Sequence, residues 1–463
     1  MRMGFDVAGQ QVVVVGAARS GLAAARLLVA RGAHVTLADT APAIDDAPAL
    51  EAIGIRLALG EHDPALFAAA DLLVLSPGVP ADQPAIQAAR AAGRPVIGEL
   101  ELASRWIAGR LIAISGTKGK STTTSLTARM LEQGGLTALA GGNLGTALAA
   151  QVRMSTPTTI HVVEASSFQL EATDTFHPWI AVLLNLTPDH LDRHASFEAY
   201  GRAKARLFAN QTLDDWSVVN ADDPGAQALA RSGRARRFDF ALDRTIEAGV
   251  TVDGDQIVRR EGGRSLPLVP LASVRLPGRH QLSDVLAAAA VGCLAGIDPA
   301  AMQQAVEQFQ GLEHALERVA EVDGVTFVND SKATNIDATR RSIESFDGGV
   351  VVILGGRFKG GRFEDLREVV TARVRAVVAI GEAQPVIEAA LGDVVPVERA
   401  ESMADAVRRA RAAAHAGGVV LLAPACASFD QFRDYADRGR AFKAEVARLP
   451  GADRGAGRAS GTV

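Results

Sequence analysis

Cysteine is scarce in this chain: Cys293 and Cys426 are the only two. Their spacing suits neither a metal site nor a disulfide framework, and a reducing compartment fits. Long apolar runs are missing as well. The longest, LAAAAVGCLAGI, reaches about a dozen residues, short of the roughly 18–20 that a membrane span needs. No cationic stretch leads into a clean apolar one at the N-terminus, because Asp6, Gln10 and Gln11 interrupt it. A cytoplasmic protein without membrane insertion is the expectation. Nor is there an excess of positive charge. Lys and Arg total 48 against 53 Asp and Glu, a net −5, which argues against a nucleic-acid partner held by broad attraction. Basic residues must therefore act locally on any anionic ligand.

What is present is a strand–glycine turn–helix pattern that recurs along the chain. At 463 residues the chain is too long for one core, and about three domains are expected. QVVVVGAARSGLAAARLLVARGAHVTLADT reads as a strand, a turn bracketed by Gly16 and Gly21, a helix, and a strand ending at Asp39. The run Val12 to Val15 is too apolar for a half-exposed strand and predicts a parallel sheet covered on both faces. An acid at the end of the second strand can bond a ribose hydroxyl. The dinucleotide fingerprint needs a middle glycine where backbone approaches a pyrophosphate, and that place holds Ala18. The turn therefore favours a differently posed nucleotide, or a purely structural Rossmann-like unit, over a nicotinamide site. DLLVLSPGVP adds a strand end at Ser76-Pro77-Gly78, where such sheets place ligand loops.

The pattern resets near Gly93–Glu101. Leu111–Ser115 reads as a buried strand, Gly116–Lys120 as a loop, and Ser121 onward as a helix to about Gln133. The loop G-T-K-G-K-S-T is shorter than a standard P-loop, but its physics is the same. Backbone N–H groups and a helix N-terminus face an anion, Lys120 supplies a point charge, and Ser121 can ligate Mg²⁺. TIHVVEASSFQLE puts Glu164 at a strand end, within reach of a loop-bound metal. A further strand leads into a cluster of Asp189, His190, Asp192, Arg193 and His194. Lys204, on the helix that follows, has no chemistry by spacing alone and reads as a solvated lysine. From about Gly311 a third α/β unit begins, with strands VTFV, VVVILGG, AVVAIG and VVLLAP. Three of its strand-end loops look chemical: NDSKATN, GGRFKGG and PACASFDQF.

SGTKGKST, VVEASSFQLE, LNLTPDHLDRH, VNDSKATN and PACASFDQFRDYADRG, in this order, resemble the ATP-dependent Mur ligases over about residues 7–448. NDSKATN and ACASFDQF are highly specific, whereas the P-loop is shared with folylpolyglutamate synthases. Within the family the likeness is to members that join glutamate to UDP-N-acetylmuramoyl-L-alanine, and the D-N-P-R motif of the later diamino-acid ligase is absent. The resemblance implies an α/β fold of three domains. These are a Rossmann-like UDP-sugar domain over 1–97, a P-loop ATPase-like domain over 98–311, and a Rossmann-like glutamate domain over 312–450. A disordered tail is expected over 451–463.

Site roles follow motif by motif. Arg19, Ser20, Asp39, Thr40, Ser76 and Gly78 would hold the UDP end of the sugar nucleotide, and Asn143 in GGNLG would contact the same substrate. Gly116, Thr117, Lys118, Gly119, Lys120, Ser121 and Thr122 would cradle ATP, with Ser121 and Glu164 on one Mg²⁺. His190 and Lys204 would serve a second Mg²⁺, with Lys204 carbamylated so that a cation becomes a metal-binding anion. Asp330 and Lys332 would reach ATP phosphates. Thr334, Lys359, Ser428 and Phe429 would grip glutamate, and Tyr435 would line its pocket. A monomer is expected.

The sequence departs from the family pattern in three places. GRHQLSD carries Gln281 and Asp284 in place of asparagines, which moves the expected contact of Asp284 from phosphate to adenosine. Ala315 replaces the arginine after His314, with Arg318 three residues on. Lys118 stands where the P-loop often has asparagine. The reaction implied is ATP-driven amide formation through an acyl phosphate. The rivals are an oxidoreductase on the Gly16 turn, a P-loop switch without ligase activity, a folylpolyglutamate synthase, and the same ligase using L-glutamate.

Overall fold

The computed structural model describes residues 5–44, 47–190, 193–276, 278–358 and 360–451. Lys359, Asp192 and the expected tail from 452 lie outside the described residues. The chain forms two compact units, one of residues 1–274 with 280–308 and one of residues 275–279 with 309–463.

The first unit holds two parallel sheets and a small, mainly antiparallel one. β1 (Gln11–Val15), β2 (His34–Asp39), β3 (Arg56–Leu59), β4 (Leu72–Leu75) and β5 (Val96–Gly98) pair in the order β3-β2-β1-β4-β5. Val12 to Val15 are all buried, as a strand covered on both faces requires. Each such side chain contributes about 1.5–3 kcal/mol relative to an exposed one. The chain leaves β1 to one side towards β2 and returns on the other at β4, so a topological switch point lies between β1 and β4.

The second sheet joins β6 (Arg110–Ser115), β7 (Ala138–Gly142), β8 (Ile160–Glu164), β9 (Ile180–Leu183), β10 (Trp216–Val219) and β11 (Arg236–Arg237) in the order β11-β10-β9-β6-β8-β7. β6 is central, paired in parallel with β8 on one side and β9 on the other. The loops after β6, β8 and β9 therefore emerge side by side. The expected helix after the P-loop runs Lys120–Gln133. β12 (Asp239–Ala241), β13 (Gly249–Asp253), β14 (Gln256–Glu261) and β15 (Arg264–Pro270) form the small sheet, which the sequence reading did not anticipate. The longest apolar stretch lies in the helix Arg279–Ala295, and no described helix is long and apolar enough to cross a membrane.

In the second unit, β16 (Glu317–Val322), β17 (Val325–Asn329), β18 (Val350–Gly355), β19 (Val374–Ile380), β20 (Val397–Ala400) and β21 (Val419–Leu422) pair as β16-β17-β21-β18-β19-β20. Only the β16–β17 pair is antiparallel. Because β21 inserts between β17 and β18, the three loops read as chemical follow three neighbouring strands. The topology collects them.

Candidate active site

The P-loop is clamped before any ligand is considered. Asn185, just beyond β9, accepts through Oδ1 from the N–H groups of Thr117 (3.0 Å) and Lys118 (2.9 Å), and its Nδ2 donates to the Lys118 carbonyl (3.1 Å). Thr117 Oγ1 donates to the Thr187 carbonyl and accepts from the Tyr200 hydroxyl, both at 3.1 Å. Gly119 is left-handed (φ 84°), and a Cβ there would lie 2.1 Å from Asp284 Oδ1, so only glycine fits. Asp284 is thus packed against the phosphate-type loop itself. Burial pushes its acid well above the ordinary carboxylate range.

Three lysines surround this loop in different states. Lys118 pairs with Asp189 at 3.2 Å. Lys120 Nζ donates to the carbonyls of Gly116 (3.0 Å) and Thr117 (2.9 Å). Lys204 corrects the sequence reading: it is 1% exposed, not solvated. Its Nζ donates to the Gly116 carbonyl at 2.8 Å and to Ser115 Oγ at 3.5 Å, and lies 4.6 Å from the Tyr200 ring centroid. Spacing could not show this, because burial comes from the loops that close over its helix, Phe197–Ala205. Desolvation, aided by the charge of Lys120, holds its pKa well below that of an ordinary lysine.

Ser121 Oγ donates to Glu164 Oε2 at 2.6 Å, so this expected pair is together. Asn143 Nδ2 donates to Glu164 Oε1 at 2.7 Å, and the Asn143 carbonyl accepts from Arg19 at 2.8 Å. The residues expected at the sugar nucleotide and at the metal thus form one chain of bonds. A hydroxyl beside a carboxylate suits Mg²⁺, which takes few protein oxygens and keeps several waters. Among the described residues, no group of three or more His, Cys, Asp or Glu is placed to hold a metal ion. His190, exposed and left-handed (φ 55°), lies 5.0 Å from the Phe168 ring and 6.4 Å from the Tyr200 ring. Tyr200 therefore stands near both His190 and Lys204.

At the β1/β4 switch point, a Cβ on Gly16 would come within 2.8 Å of Ser76 Cβ and Val79 Cγ2. The two turns touch there, and Ala18 sits at the N-cap of the helix Arg19–Ala30. Asp39 spends its oxygens on the N–H groups of Ala17 (2.5 Å) and Ala41 (2.8 Å), holding the turn. Ser20 is buried, whereas Thr40 and Gly78 are exposed. A cleft of about 120 Å³ runs past Ser76, Val79, Glu99, Phe168, Gln169 and Arg193. Ser76 Oγ, Glu99 Oε2 and Gln169 Nε2 are buried without hydrogen-bond partners among the described residues. Arg193 Nη2 donates to the Val79 carbonyl at 3.4 Å. The sequence reading missed Glu99, Gln169 and Asn185; the last two lie inside motifs it quoted without giving them roles.

In the second unit, Asp330 is buried and accepts from Ser342 Oγ; burial raises its acid to about 6. Lys332 is exposed and its N–H donates to the His314 carbonyl at 3.1 Å. Thr334 is half-buried, Ser428 buried, and Phe429 and Tyr435 are 59% and 42% exposed. Arg318, three residues past Ala315, pairs with Glu321 at 2.7 Å on β16. Beneath the three loops lies Arg438, buried and unnoticed in the sequence reading.

Family profiles match along the chain: the Mur ligase MurD-like N-terminal domain over 10–98, the Mur ligase middle domain over 114–292, and the Mur ligase glutamate ligase domain over 316–426. The UDP-N-acetylmuramoylalanine–D-glutamate ligase of Acidobacterium capsulatum is 47% identical over 444 residues, 95% of this chain and 96% of the relative. That of Koribacter versatilis is 44% identical over 448 residues, 96% and 99%. Two solved Thermotoga maritima structures share the fold. The UDP-N-acetylmuramate–alanine ligase MurC has a TM-score of 0.59 at 19% identity, covering 94% of this chain and 98% of that one. The MurF ligase in complex with ADP has 0.58 at 16%, covering 95% of each. This chain belongs to the Mur ligase family, among the UDP-N-acetylmuramoylalanine–D-glutamate ligases.

Proposed function

We propose that this chain joins D-glutamate to UDP-N-acetylmuramoyl-L-alanine at the expense of ATP, a cytoplasmic step in making peptidoglycan precursors. The alanine carboxylate oxygen attacks the γ-phosphorus of ATP, giving an acyl phosphate and ADP. The glutamate amine then attacks the acyl carbon, phosphate leaves, and the amine loses its proton as the amide forms. Excess negative charge gathers at the phosphoryl group, so preorganised cations must stabilise it.

Lys120, at the mouth of the P-loop, would turn from its own carbonyls to the phosphates. Ser121 and Glu164 would hold one Mg²⁺, which neutralises phosphate charge when bound. The raised pKa of Asp284 beside Gly119 favours its neutral form, which a phosphate in the loop would tolerate better than an anion. Burial lowers the pKa of Lys204 and so favours the uncharged amine, the form that adds CO₂; its carbamate with His190 would hold a second Mg²⁺. Arg19, Ser20, Asp39, Thr40, Ser76, Gly78 and Asn143 are assigned to the sugar nucleotide. Asp330 and Lys332 are assigned to ATP phosphates, and Thr334, Lys359, Ser428, Phe429 and Tyr435 to glutamate.

The observation that carries this reading is the cluster of P-loop, Ser121–Glu164 pair and buried Lys204. A switch protein has no use for a lysine buried against the carbonyl of Gly116. The test is ATP-dependent phosphate release with UDP-N-acetylmuramoyl-L-alanine and either glutamate isomer, with a folate as the alternative acceptor. Release coupled to D-glutamate addition is expected. A preference for L-glutamate would keep the mechanism and change the substrate, and turnover with the folate alone would overturn the proposal.

A further inference from the structure

The loops after β17, β18 and β21 share one side chain. Arg438, on the first turn of the helix Tyr435–Val446, is 0% exposed. Its Nε donates to Ser331 Oγ (2.9 Å), and its Nη2 to the carbonyls of Ser331 (3.0 Å) and Cys426 (3.1 Å). Nη1 donates to the carbonyls of Cys426 (3.1 Å) and Gly355 (3.4 Å). One guanidinium therefore touches all three loops. Ser331 Oγ in turn donates to the Tyr435 carbonyl at 2.7 Å, closing the network onto the helix that carries the arginine. A Cβ on Gly356 would lie 3.1 Å from Nη1, so backbone packs directly on the cation.

The loops also bond one another above it. The Ala425 N–H donates to the Ala333 carbonyl at 2.9 Å, and Arg357 and Ala427 exchange a pair of backbone bonds at 2.9 and 3.0 Å.

The electrostatics are unusual. Among the described residues every acceptor of this buried cation is neutral. Asp430 acts on it only through space, its Oδ2 accepting from the Glu382 N–H. A buried charge without a bonded anion is costly and is kept only where surrounding groups compensate it. Burial lowers the guanidinium pKa to about 10, so it stays charged at neutral pH. Five rigid N–H donors spread over three loops are what a planar fork supplies and an ammonium cannot. The residual positive charge lies under the three loops that carry the residues assigned above to glutamate, the first of which also carries Asp330 and Lys332.

We propose that Arg438 is a positioning residue for the anionic amino-acid substrate: it locks the three switch-point loops in one register and supplies the buried positive charge that the bound carboxylates complete. The proposal rests on the glutamate assignment of these loops, and the test separates the two. Hydrogen exchange and steady-state kinetics would be measured on the full chain with Arg438→Lys, which keeps a basic side chain and loses the fork. Ser331→Ala, which removes one acceptor, serves as a milder second variant.

In Arg438→Lys, all three loops should exchange about tenfold faster together while β17, β18 and β21 hold. KM for glutamate should rise about tenfold or more, with KM for ATP within about threefold, as expected when charge-assisted contacts to a carboxylate lose alignment. Ser331→Ala should loosen mainly the 330–334 loop, with a smaller rise in the glutamate KM. Unchanged loop exchange in both variants would overturn the positioning role. A fall in kcat with every KM unchanged would also overturn it, leaving Arg438 a structural residue. Loops that loosen together while KM rises for ATP and not for glutamate would uphold the positioning of the loops and overturn their glutamate assignment.

Discussion

Lys204 in the first unit and Arg438 in the second are both buried basic side chains behind strand-end loops, and the fold treats them in opposite ways. Lys204 meets one good acceptor, the Gly116 carbonyl, and a distant one, Ser115 Oγ. Desolvation therefore wins and its proton is shed well below the usual lysine range. Arg438 meets five bonds and cannot discharge in the physiological range, so it remains a cation and organises its surroundings. Burial favours the uncharged form of the lysine and leaves the arginine a charged scaffold. Which outcome results depends on how many acceptors the fold supplies.

The same contrast is repeated two residues apart on the helix Glu99–Ser104. Glu99 and Glu101 are both buried, at 1% and 0%. Among the described residues Glu99 accepts one hydrogen bond, from the Ala149 N–H, while its Oε2 has none, and burial raises its acid to about 7. Burial also pushes Glu101 up. However, the N–H groups of Asp174, Thr175 and Phe176, the Thr175 hydroxyl and Arg105 all donate to it, and the balance falls below the ordinary value.

Substitutions that break the contrast should have the largest effects. Lys204→Arg puts a cation that cannot be discharged where an uncharged amine is needed. Turnover should fall by more than about three orders of magnitude. Wild-type activity should also fall on exhaustive CO₂ removal and return with bicarbonate. Full activity in the arginine variant would make Lys204 a packing residue.

Next comes Lys120→Ala, which on the proposed mechanism removes a charge beside the migrating phosphoryl group and should cost about two to three orders of magnitude in kcat. Its thermal melting should match the parent's. A phosphate-release rate within about threefold of the parent would remove Lys120 from the reaction.

The glutamate pair sharpens the comparison through stability. Glu101→Gln should destabilise by about 2–4 kcal/mol at neutral pH, because it weakens several charge-assisted bonds to one buried carboxylate. The folded-state acid is depressed, so the contribution exists above the unfolded value near 4.5 and fades as pH falls below it. Glu99 has the opposite sign. Its folded form holds its proton up to about pH 7, so the native state binds more protons than the unfolded one from about 4.5 to 7, and stability declines as pH rises through that window. Glu99→Gln, which keeps an acceptor for Ala149, should gain about 1–3 kcal/mol near pH 8 and nothing below pH 4. Denaturant melts of both variants at three pH values would check the pair, and slopes of the same sign would refute the account of either.

Much of this was legible in the chain. Parallel strands announced themselves as apolar runs ending in glycine, and the P-loop with Glu164 could be placed from strand ends alone. The three loops of the second unit were identified by composition. What could not be read was convergence: only the insertion of β21 between β17 and β18 brings those loops together. Burial state was equally hidden. Lys204 sits on a helix of ordinary polarity, and Arg438 lies in a segment, RDYADRG, that looks solvated. Much of the environment of both is set by residues far away in sequence: Ser115 and Gly116 for the lysine, Ser331 and Gly355 for the arginine. The small β12–β15 sheet was missed because its strands carry Arg and Glu on partly exposed faces.

The claim that burial turns Lys204 into a reactive amine is tested most directly by equilibrating the protein with ¹³C-bicarbonate and recording its carbon NMR spectrum, without substrates. A single protein-bound carbamate signal is predicted in the wild type. It should be absent from Lys204→Arg and should decay in step with activity when CO₂ is removed. A fully active wild type with no such signal, or a signal that survives in Lys204→Arg, would contradict the account.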